Sequence, residues 1–248
     1  MLNIVVPMAG LGSRFQKAGY TIPKPLIPVN GVPMIQVVIK NLTPAQEHRF
    51  IFIVQKEQIE KYELDKKLKD FAPNSVIIPI TYLTEGQAST ALLAEGYINN
   101  DDPIMCANCD QFIDFDINDY LKKMDDENLD GLIMTMKSNE DKWSYARTND
   151  GGLVVETAEK KVISEDATVG IFNFVKGSDF VKYTKMMIAD NLRVNNEFYI
   201  CPVYNYLVKD NKRIGIYPIG KEFDGMYGLG TPKDLEIFLS LPISKKIG

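Results

Sequence analysis

Short apolar runs follow one another along the first half of the chain, and segments with apolar residues at helical spacing lie between them. The runs predict buried strands at 2–7, 50–54, 75–82, 103–106 and 131–136. The segments between them predict helices near Ser13 and at 33–42, 57–70, 88–97 and 116–124, with Pro33 in a first turn. This alternation predicts an α/β fold with a doubly wound, mostly parallel sheet.

The pattern changes after residue 137. Segments 145–148 and 153–155 flank the turn Asn149-Asp150-Gly151-Gly152, which predicts a β-hairpin. Further strands are predicted at 169–175 and 213–218, and helices at 180–189, at 198–208 and after Thr231-Pro232. We therefore expect one domain over 1–248, in which 138–248 form a smaller mixed lobe beside the doubly wound lobe 1–137.

Composition and charge limit the classes of function. The 248 residues are 45% hydrophobic and 25% charged, which excludes collagen-like and wholly disordered chains. A net charge of −5 argues against a nucleic-acid partner. No acidic residue precedes Glu47, whereas Arg14, Lys17, Lys24 and Lys40 do. This basic segment predicts a local binding site for a polyanion, unless the distribution is chance.

Other composition features point away from membranes and metals held by cysteine. No apolar run approaches the roughly 20 residues that span a bilayer, and the first residues lack a signal-peptide pattern, so we expect a soluble, cytoplasmic protein with no membrane partner. Cys106, Cys109 and Cys201 are accompanied by a single histidine, His48. A four-ligand zinc site is hard to assemble from them, so we expect buried thiols.

A glycine-rich loop, Met8 to Phe15, follows the first strand. Gly10 and Gly12 let the backbone approach an anion closely, and a helix beginning near Ser13 adds its positive end. Arg14 adds a forked donor that suits phosphate oxygens. Phe15 stands where a dinucleotide-binding loop needs glycine, and the Walker pattern is absent. The loop predicts phosphate binding, with an ordinary structural turn as the alternative.

Lys24 lies between Pro23 and Pro25. Each proline fixes its own φ and restricts the residue before it, so we expect Lys24 on a stiff, extended segment. A lysine directed at a phosphate benefits from such a mounting. G-x-G-x-R followed by P-K-P-L resembles the sugar-phosphate nucleotidylyltransferase family.

The resemblance implies a Rossmann-like, nucleotidyltransferase-type fold and transfer of a nucleoside monophosphate from an NTP to a phosphorylated acceptor, with release of pyrophosphate. It also implies Mg²⁺ as cofactor. Short members of the family commonly serve cell-surface polysaccharide assembly. The nucleophile is then an acceptor phosphate oxygen that is already ionised at neutral pH, so no general base is needed.

The resemblance assigns roles to residues in three groups. Catalytic residues are Arg14, Lys24 and Asp110, with Asp110 as a Mg²⁺ ligand. Nucleotide-binding residues are Met8, Ala9, Gly10, Gly12, Ser13, Gly86, Gln87 and Ser89. Acceptor-binding residues are Glu159, Lys160 and Glu197, with an exposed surface role as the alternative.

A second metal ligand is less clear, because Gly228 stands where many family members have an aspartate. Asp224, four residues earlier, is the candidate replacement, and the alternative is that it is an ordinary turn residue.

Gln87 is the residue that bears on the nucleotide base. Since its side-chain amide can both donate and accept hydrogen bonds, it favours a pyrimidine base without separating CTP from UTP.

Competing functions remain. A nucleotide-sugar glycosyltransferase could use Asp114-Phe115-Asp116 as an acidic metal motif, but it would not explain Arg14 and Lys24. A non-catalytic nucleotide sensor is a second alternative. The identity of the acceptor and self-association are left open.

Overall fold

The computed structural model describes residues 1–247, and its strands make one large sheet and one small hairpin. The strands are β1 (Leu2–Pro7), β2 (Pro28–Val29), β3 (Val32–Pro33), β4 (His48–Gln55), β5 (Val76–Ile80), β6 (Ile104–Ala107), β7 (Gln111–Ile113), β8 (Gly131–Lys137), β9 (Ser144–Thr148), β10 (Val154–Glu159), β11 (Asp166–Phe174), β12 (Ile214–Glu222) and β13 (Gly225–Gly228).

The helices are α1 (Ser13–Lys17), α2 (Met34–Leu42), α3 (Lys56–Tyr62), α4 (Leu64–Phe71), α5 (Gln87–Leu92), α6 (Glu95–Ile98), α7 (Ile117–Asp126), α8 (Gly177–Ala189), α9 (Tyr204–Lys209) and α10 (Pro232–Ser240). Short 3-10 turns occur at Lys24–Leu26, Cys201–Val203 and Pro242–Lys246. Within residues 1–247, no helix has the length and apolar character needed to cross a membrane.

The large sheet has the strand order β5-β4-β1-β6-β11-β8-β12-β13-β7, and the hairpin β9–β10 joins it through β11. Strands β5, β4, β1 and β6 are mutually parallel, as are β8, β12 and β13. Strand β11 runs antiparallel between the two sets, and β7 is antiparallel at the edge. The predicted α/β fold with a mostly parallel sheet is therefore confirmed.

Helices cover both faces of this sheet because the buried strands are apolar on both sides. On β1, Ile4 and Val6 pack into one core cluster and Val5 into another. Helices α2, α4 and α7 supply apolar side chains to the first cluster, and α5, α8 and α9 to the second. A third cluster joins Phe15 of α1 to Phe238 of α10 and fixes the loop after β1.

Several predicted elements differ in the structure. The predicted helix 57–70 is interrupted at Glu63, whose φ of 51° is left-handed and separates α3 from α4. The predicted helix 88–97 is likewise divided into α5 and α6. The predicted helix 198–208 begins later, because the backbone of Phe198 hydrogen-bonds to a distant loop. The expectation of an extended Lys24 is wrong: Pro23 is extended, but Lys24 begins a 3-10 turn.

Candidate active site

A cavity of about 890 Å³ opens where the loops after β1 and β6 meet the loop before α5 and the β9–β10 hairpin. In a parallel sheet, ligands bind outside the carboxyl ends of the strands, and both loops follow such ends. The predicted site residues that line the cavity are Ala9, Gly10, Ser13, Arg14, Lys24, Gly86, Gln87, Asp110, Glu159, Lys160 and Glu197.

Four of the predicted residues do not line the cavity: Met8, Gly12, Ser89 and Asp224. Met8 is 2% exposed and packs in the core. Gly12 has a φ of 64°, and a Cβ there would lie 3.2 Å from Cβ of Lys24, so its role is to make room for that lysine. The hydroxyl of Ser89 is buried and has no hydrogen-bond partner in residues 1–247. The structure thus places Met8, Gly12 and Ser89 beside the cavity without exposing them to it, whereas Asp224 lies away from it.

The loop after β1 presents Arg14 at the edge of the cavity. Phe15, only 1% exposed, anchors α1 in the third core cluster, while Arg14 beside it points outward and is exposed. Within residues 1–247, the guanidinium of Arg14 makes no ion pair within 4.0 Å. It is therefore free to bind an anion.

Gln55, which sequence reasoning missed, holds this loop in place. Its Nε2 donates to the carbonyl of Ala9 at 2.9 Å and to that of Tyr82 at 3.1 Å. Gln55 ends β4, so a polar residue at the carboxyl end of a buried strand was the available signal. The contact joins the loop after β1 to the loop after β5.

Lys24 and Asp110 form an ion pair inside the cavity. The ammonium Nζ of Lys24 donates to Oδ2 of Asp110 at 2.8 Å, and the two side chains are 19% and 20% exposed. Burial, the largest single influence, would lower the pKa of Lys24, but nearby groups, chiefly the charge of Asp110 and the hydrogen bond to it, together hold that pKa above its ordinary value. Burial alone would raise the pKa of Asp110, but the charges of Lys24 and Arg14 hold it below its ordinary value. Both groups are therefore charged at neutral pH.

Asn108, two residues before Asp110, connects the two sides of the cavity. Gln87 Nε2 donates to Asn108 Oδ1, and Asn108 Nδ2 donates to Gln111 Oε1 at 3.3 Å. A Cβ on Gly170, whose φ is 81°, would lie 2.0 Å from Nδ2 of Asn108. Only glycine therefore allows β11 to pass this close to the amide.

The other end of the cavity holds the predicted acceptor residues. Lys160 Nζ donates to the hydroxyl of Tyr199 at 2.8 Å, and that hydroxyl donates to Glu197. Glu159 accepts from the hydroxyl of Ser144. Burial raises the pKa of Glu159, with Ser144 and the charge of Lys160 opposing the rise. Trp143, which sequence reasoning missed, also lines this end.

Asp224 is not part of this arrangement. Its side chain is 75% exposed and lies 4.0 Å from Nζ of Lys221. On β13, Gly228 pairs with Gln111, whereas the carbonyl of Gly225 accepts from the N–H of Asp114. Asp224 is therefore at the far end of β7 from Asp110. The expectation of Asp224 as a metal ligand is not supported, and the turn alternative fits.

Asp110 fits a magnesium site with few protein ligands. Its carboxylate lines the cavity and offers oxygen, the donor that Mg²⁺ prefers. Mg²⁺ usually keeps several waters and takes further oxygens from substrate phosphates, so one carboxylate is sufficient. No cluster of three or more acidic, histidine or cysteine side chains suited to a metal occurs in residues 1–247.

The acidic motif of the glycosyltransferase alternative lies elsewhere. Asp114 forms an ion pair with Lys246 at 2.7 Å, and Asp116 accepts from the N–H of Asn118 as the cap of α7. Neither aspartate lines the cavity. The residues that motivated this alternative thus have structural roles.

Comparisons with known proteins agree with this geometry. The family model described as "Nucleotidyl transferase" matches residues 4–198. The chain is similar to the nucleoside-diphosphate-sugar pyrophosphorylase from Vibrio cholerae RC9, with a TM-score of 0.81, 27% identity, and coverage of 96% of this chain and 100% of that chain.

Two curated relatives match over part of their length. A 2-aminoethylphosphonate cytidylyltransferase of Lancefieldella rimae is 46% identical over 52 residues, which is 21% of this chain and 21% of that protein. The bifunctional protein GlmU of Methanocaldococcus jannaschii is 20% identical over 219 residues, covering 87% of this chain and 49% of that protein. The chain therefore spans about half or less of the length of these relatives.

Proposed function

This chain belongs to the nucleotidyl transferase family, and we propose that it transfers a nucleoside monophosphate from a pyrimidine nucleoside triphosphate to a small phosphorylated acceptor, such as a sugar phosphate, releasing pyrophosphate. Family membership agrees with the resemblance carried by the two motifs around Arg14 and Lys24. The activity is our proposal.

One observation carries the proposal: a single cavity has cations at both ends. Arg14 and Lys24 lie at the end formed by the loop after β1, and Lys160 lies at the end formed by the β9–β10 hairpin. Two phosphorylated molecules can thus be held together, each beside a fixed positive charge. Holding two reactants in a fixed orientation is a large part of catalysis in phosphoryl-type transfer.

The chain's own residues supply charge neutralisation and placement. We infer that Arg14 binds the leaving pyrophosphate, Lys24 the reacting phosphates and Lys160 the acceptor phosphate. The attacking phosphate oxygen is ionised at neutral pH and needs no base, which agrees with the position of His48 at the start of β4. Mg²⁺, held by Asp110 when bound, would neutralise further phosphate charge.

Gln87 supports a pyrimidine base. One N–H of its Nε2 donates to Asn108, which leaves the amide oxygen and the second N–H to contact a base. The oxygen can accept from the exocyclic amino group of cytosine, and the N–H can donate to a carbonyl of either pyrimidine. The short match to a cytidylyltransferase favours cytosine. We therefore propose CTP before UTP.

Carboxylates support an acceptor with several hydroxyl groups. Glu159 and Glu197 each accept a hydrogen bond from a hydroxyl group, Ser144 and Tyr199 respectively, and no cation of residues 1–247 forms an ion pair with either. Hydroxyl groups of a sugar phosphate can bind to such oxygens.

The family resemblance supports two further proposals. We propose that the protein is a cytoplasmic enzyme of cell-surface polysaccharide assembly. We also propose that residues 1–137 bind mainly the nucleotide and residues 138–248 mainly the acceptor.

A pyrophosphate-release screen tests the proposal. The four nucleoside triphosphates are each combined with a panel of sugar phosphates and polyol phosphates in the presence of Mg²⁺, and Arg14→Ala serves as the inactive control. We expect release with CTP and one acceptor class only. Tight nucleotide binding without release for any pair would favour the sensor alternative, and preference for GTP or ATP would contradict the pyrimidine assignment.

A further inference from the structure

The segment 193–199 touches both ends of the cavity at once. We propose that Arg193 is a positioning residue that fixes this segment to the nucleotide loop 84–88, so that nucleotide binding orders the acceptor residues Glu197 and Tyr199. This inference rests on the proposed function. Arg193 does not line the cavity and touches neither substrate site directly.

Backbone hydrogen bonds join the segment to the nucleotide loop. The N–H of Phe198 donates to the carbonyl of Glu85 at 2.7 Å, and the N–H of Ala88 donates to the carbonyl of Phe198 at 2.9 Å. Gly86 lies between these bonds with a φ of 116°, and a Cβ there would lie 2.6 Å from both N and O of Phe198. Because of this close approach, the loop and the segment cannot move independently without breaking two hydrogen bonds.

Arg193 reinforces the junction between the segment 193–199 and the loop 84–88 from the solvent side. Its Nη1 lies 3.0 Å from Oε1 of Glu85, and its guanidinium carbon lies 4.1 Å from the ring centroid of Phe198. Its Nε donates to Oδ1 of Asn191 at 2.6 Å, and the side chain is 27% exposed. A guanidinium stacked on an aromatic ring and paired with a carboxylate is held in one orientation.

Side chains next to the junction line both ends of the cavity. Phe198 is fully buried, while its neighbours Glu197 and Tyr199 line the cavity at the acceptor end. Gln87 lines it next to Gly86 at the nucleotide end. A nucleotide that immobilises 84–88 therefore also immobilises Glu197 and Tyr199. An acceptor then binds to residues that are already ordered, which produces positive coupling between the two sites.

Hydrogen exchange tests the coupling without knowledge of the acceptor. The probes are the α,β-methylene analogues of CTP and UTP, which bind without reacting. In the wild-type protein we expect either probe to slow amide exchange in 84–88 and also in 197–199. In Arg193→Ala we expect protection of 84–88 to persist and protection of 197–199 to fall at least about fivefold, the lower end of typical coupling between sites.

Matched variants separate positioning from general destabilisation. Arg147 forms an arginine–glutamate ion pair with Glu156 on the β9–β10 hairpin, outside the two segments followed, so Arg147→Ala should keep the wild-type protection. Arg193→Lys, which keeps the charge but loses the planar stacking, should restore part of it. Equal protection of 197–199 in wild type and Arg193→Ala would overturn the coupling alone. Absence of protection in 84–88 in the wild type would overturn the proposed function and the coupling with it.

Discussion

The Lys24–Asp110 ion pair allows a test in which one variant restores stability without restoring activity. Lys24→Met removes the ammonium and leaves the carboxylate of Asp110 without its partner 2.8 Å away. The double variant Lys24→Met/Asp110→Asn removes both charges and leaves a neutral amide. We expect the single variant to be less stable than the double variant, and both to be nearly inactive.

The magnitude follows from the distance and the exposure. At 2.8 Å and an effective dielectric constant of about 20, the Coulomb attraction is about 6 kcal/mol, much of which the desolvation of both groups offsets. Removing one partner of a fully buried pair costs roughly 3–5 kcal/mol. Since both side chains keep about a fifth of their exposure, we expect a loss of about 2 kcal/mol, or a drop of about 4–8 °C in Tm.

The assay combines thermal unfolding, followed by circular dichroism, with pyrophosphate release at saturating substrates. Lys24→Met should melt below the wild type, and the double variant should recover at least about half of the loss. Turnover should fall at least about 10²-fold in both, because transition-state charge neutralisation is lost. A single variant as stable as the wild type, or a double variant no better than the single one, would refute the ion-pair reasoning.

Three further predictions concern other charges of the cavity. Arg14→Ala should lower kcat/KM for pyrophosphate release at least about 10²-fold without lowering Tm, since Arg14 is exposed and makes no ion pair within residues 1–247. Asp110→Asn should nearly abolish Mg²⁺-dependent turnover, whereas Asp224→Asn, a matched change at an exposed turn, should leave the Mg²⁺ dependence of turnover unchanged. Loss of Mg²⁺ affinity in Asp224→Asn would show that Asp224 is a metal ligand. Glu159→Gln should raise Tm at pH 7, because burial raises the pKa of Glu159 and its ionised form is destabilising. The gain should shrink as pH falls from above that raised pKa toward the ordinary value of 4.5, and a gain independent of pH would contradict the burial argument.

The sequence predicted what depends on neighbouring residues. The strands β1, β4, β6 and β8 consist mainly of consecutive apolar residues, so their burial could be predicted from the pattern alone. Arg14 and Lys24 belong to local motifs whose residues lie close together along the chain. The interruption at Glu63 was missed because a charged surface segment carries no apolar signal that marks a helix end.

Contacts between distant residues could not be predicted in this way. The Lys24–Asp110 pair joins residues 86 positions apart, and the Arg193–Glu85 pair joins residues 108 apart. Asp224 was chosen for its nearness to Gly228 in sequence, but the antiparallel pairing of β13 with β7 carries it away from Asp110. Strand pairing thus decided which carboxylate reaches the cavity.

The stoichiometry of the reaction tests the central proposal most directly. CTP and the acceptor from the screen are incubated with the protein and Mg²⁺. Pyrophosphate is then quantified, and the nucleotide product is identified by mass spectrometry. The cation arrangement at the two ends of the cavity predicts one pyrophosphate for each nucleoside diphosphate-linked product, and no pyrophosphate without acceptor. Pyrophosphate formed with free nucleoside monophosphate, at a rate independent of acceptor, would contradict it.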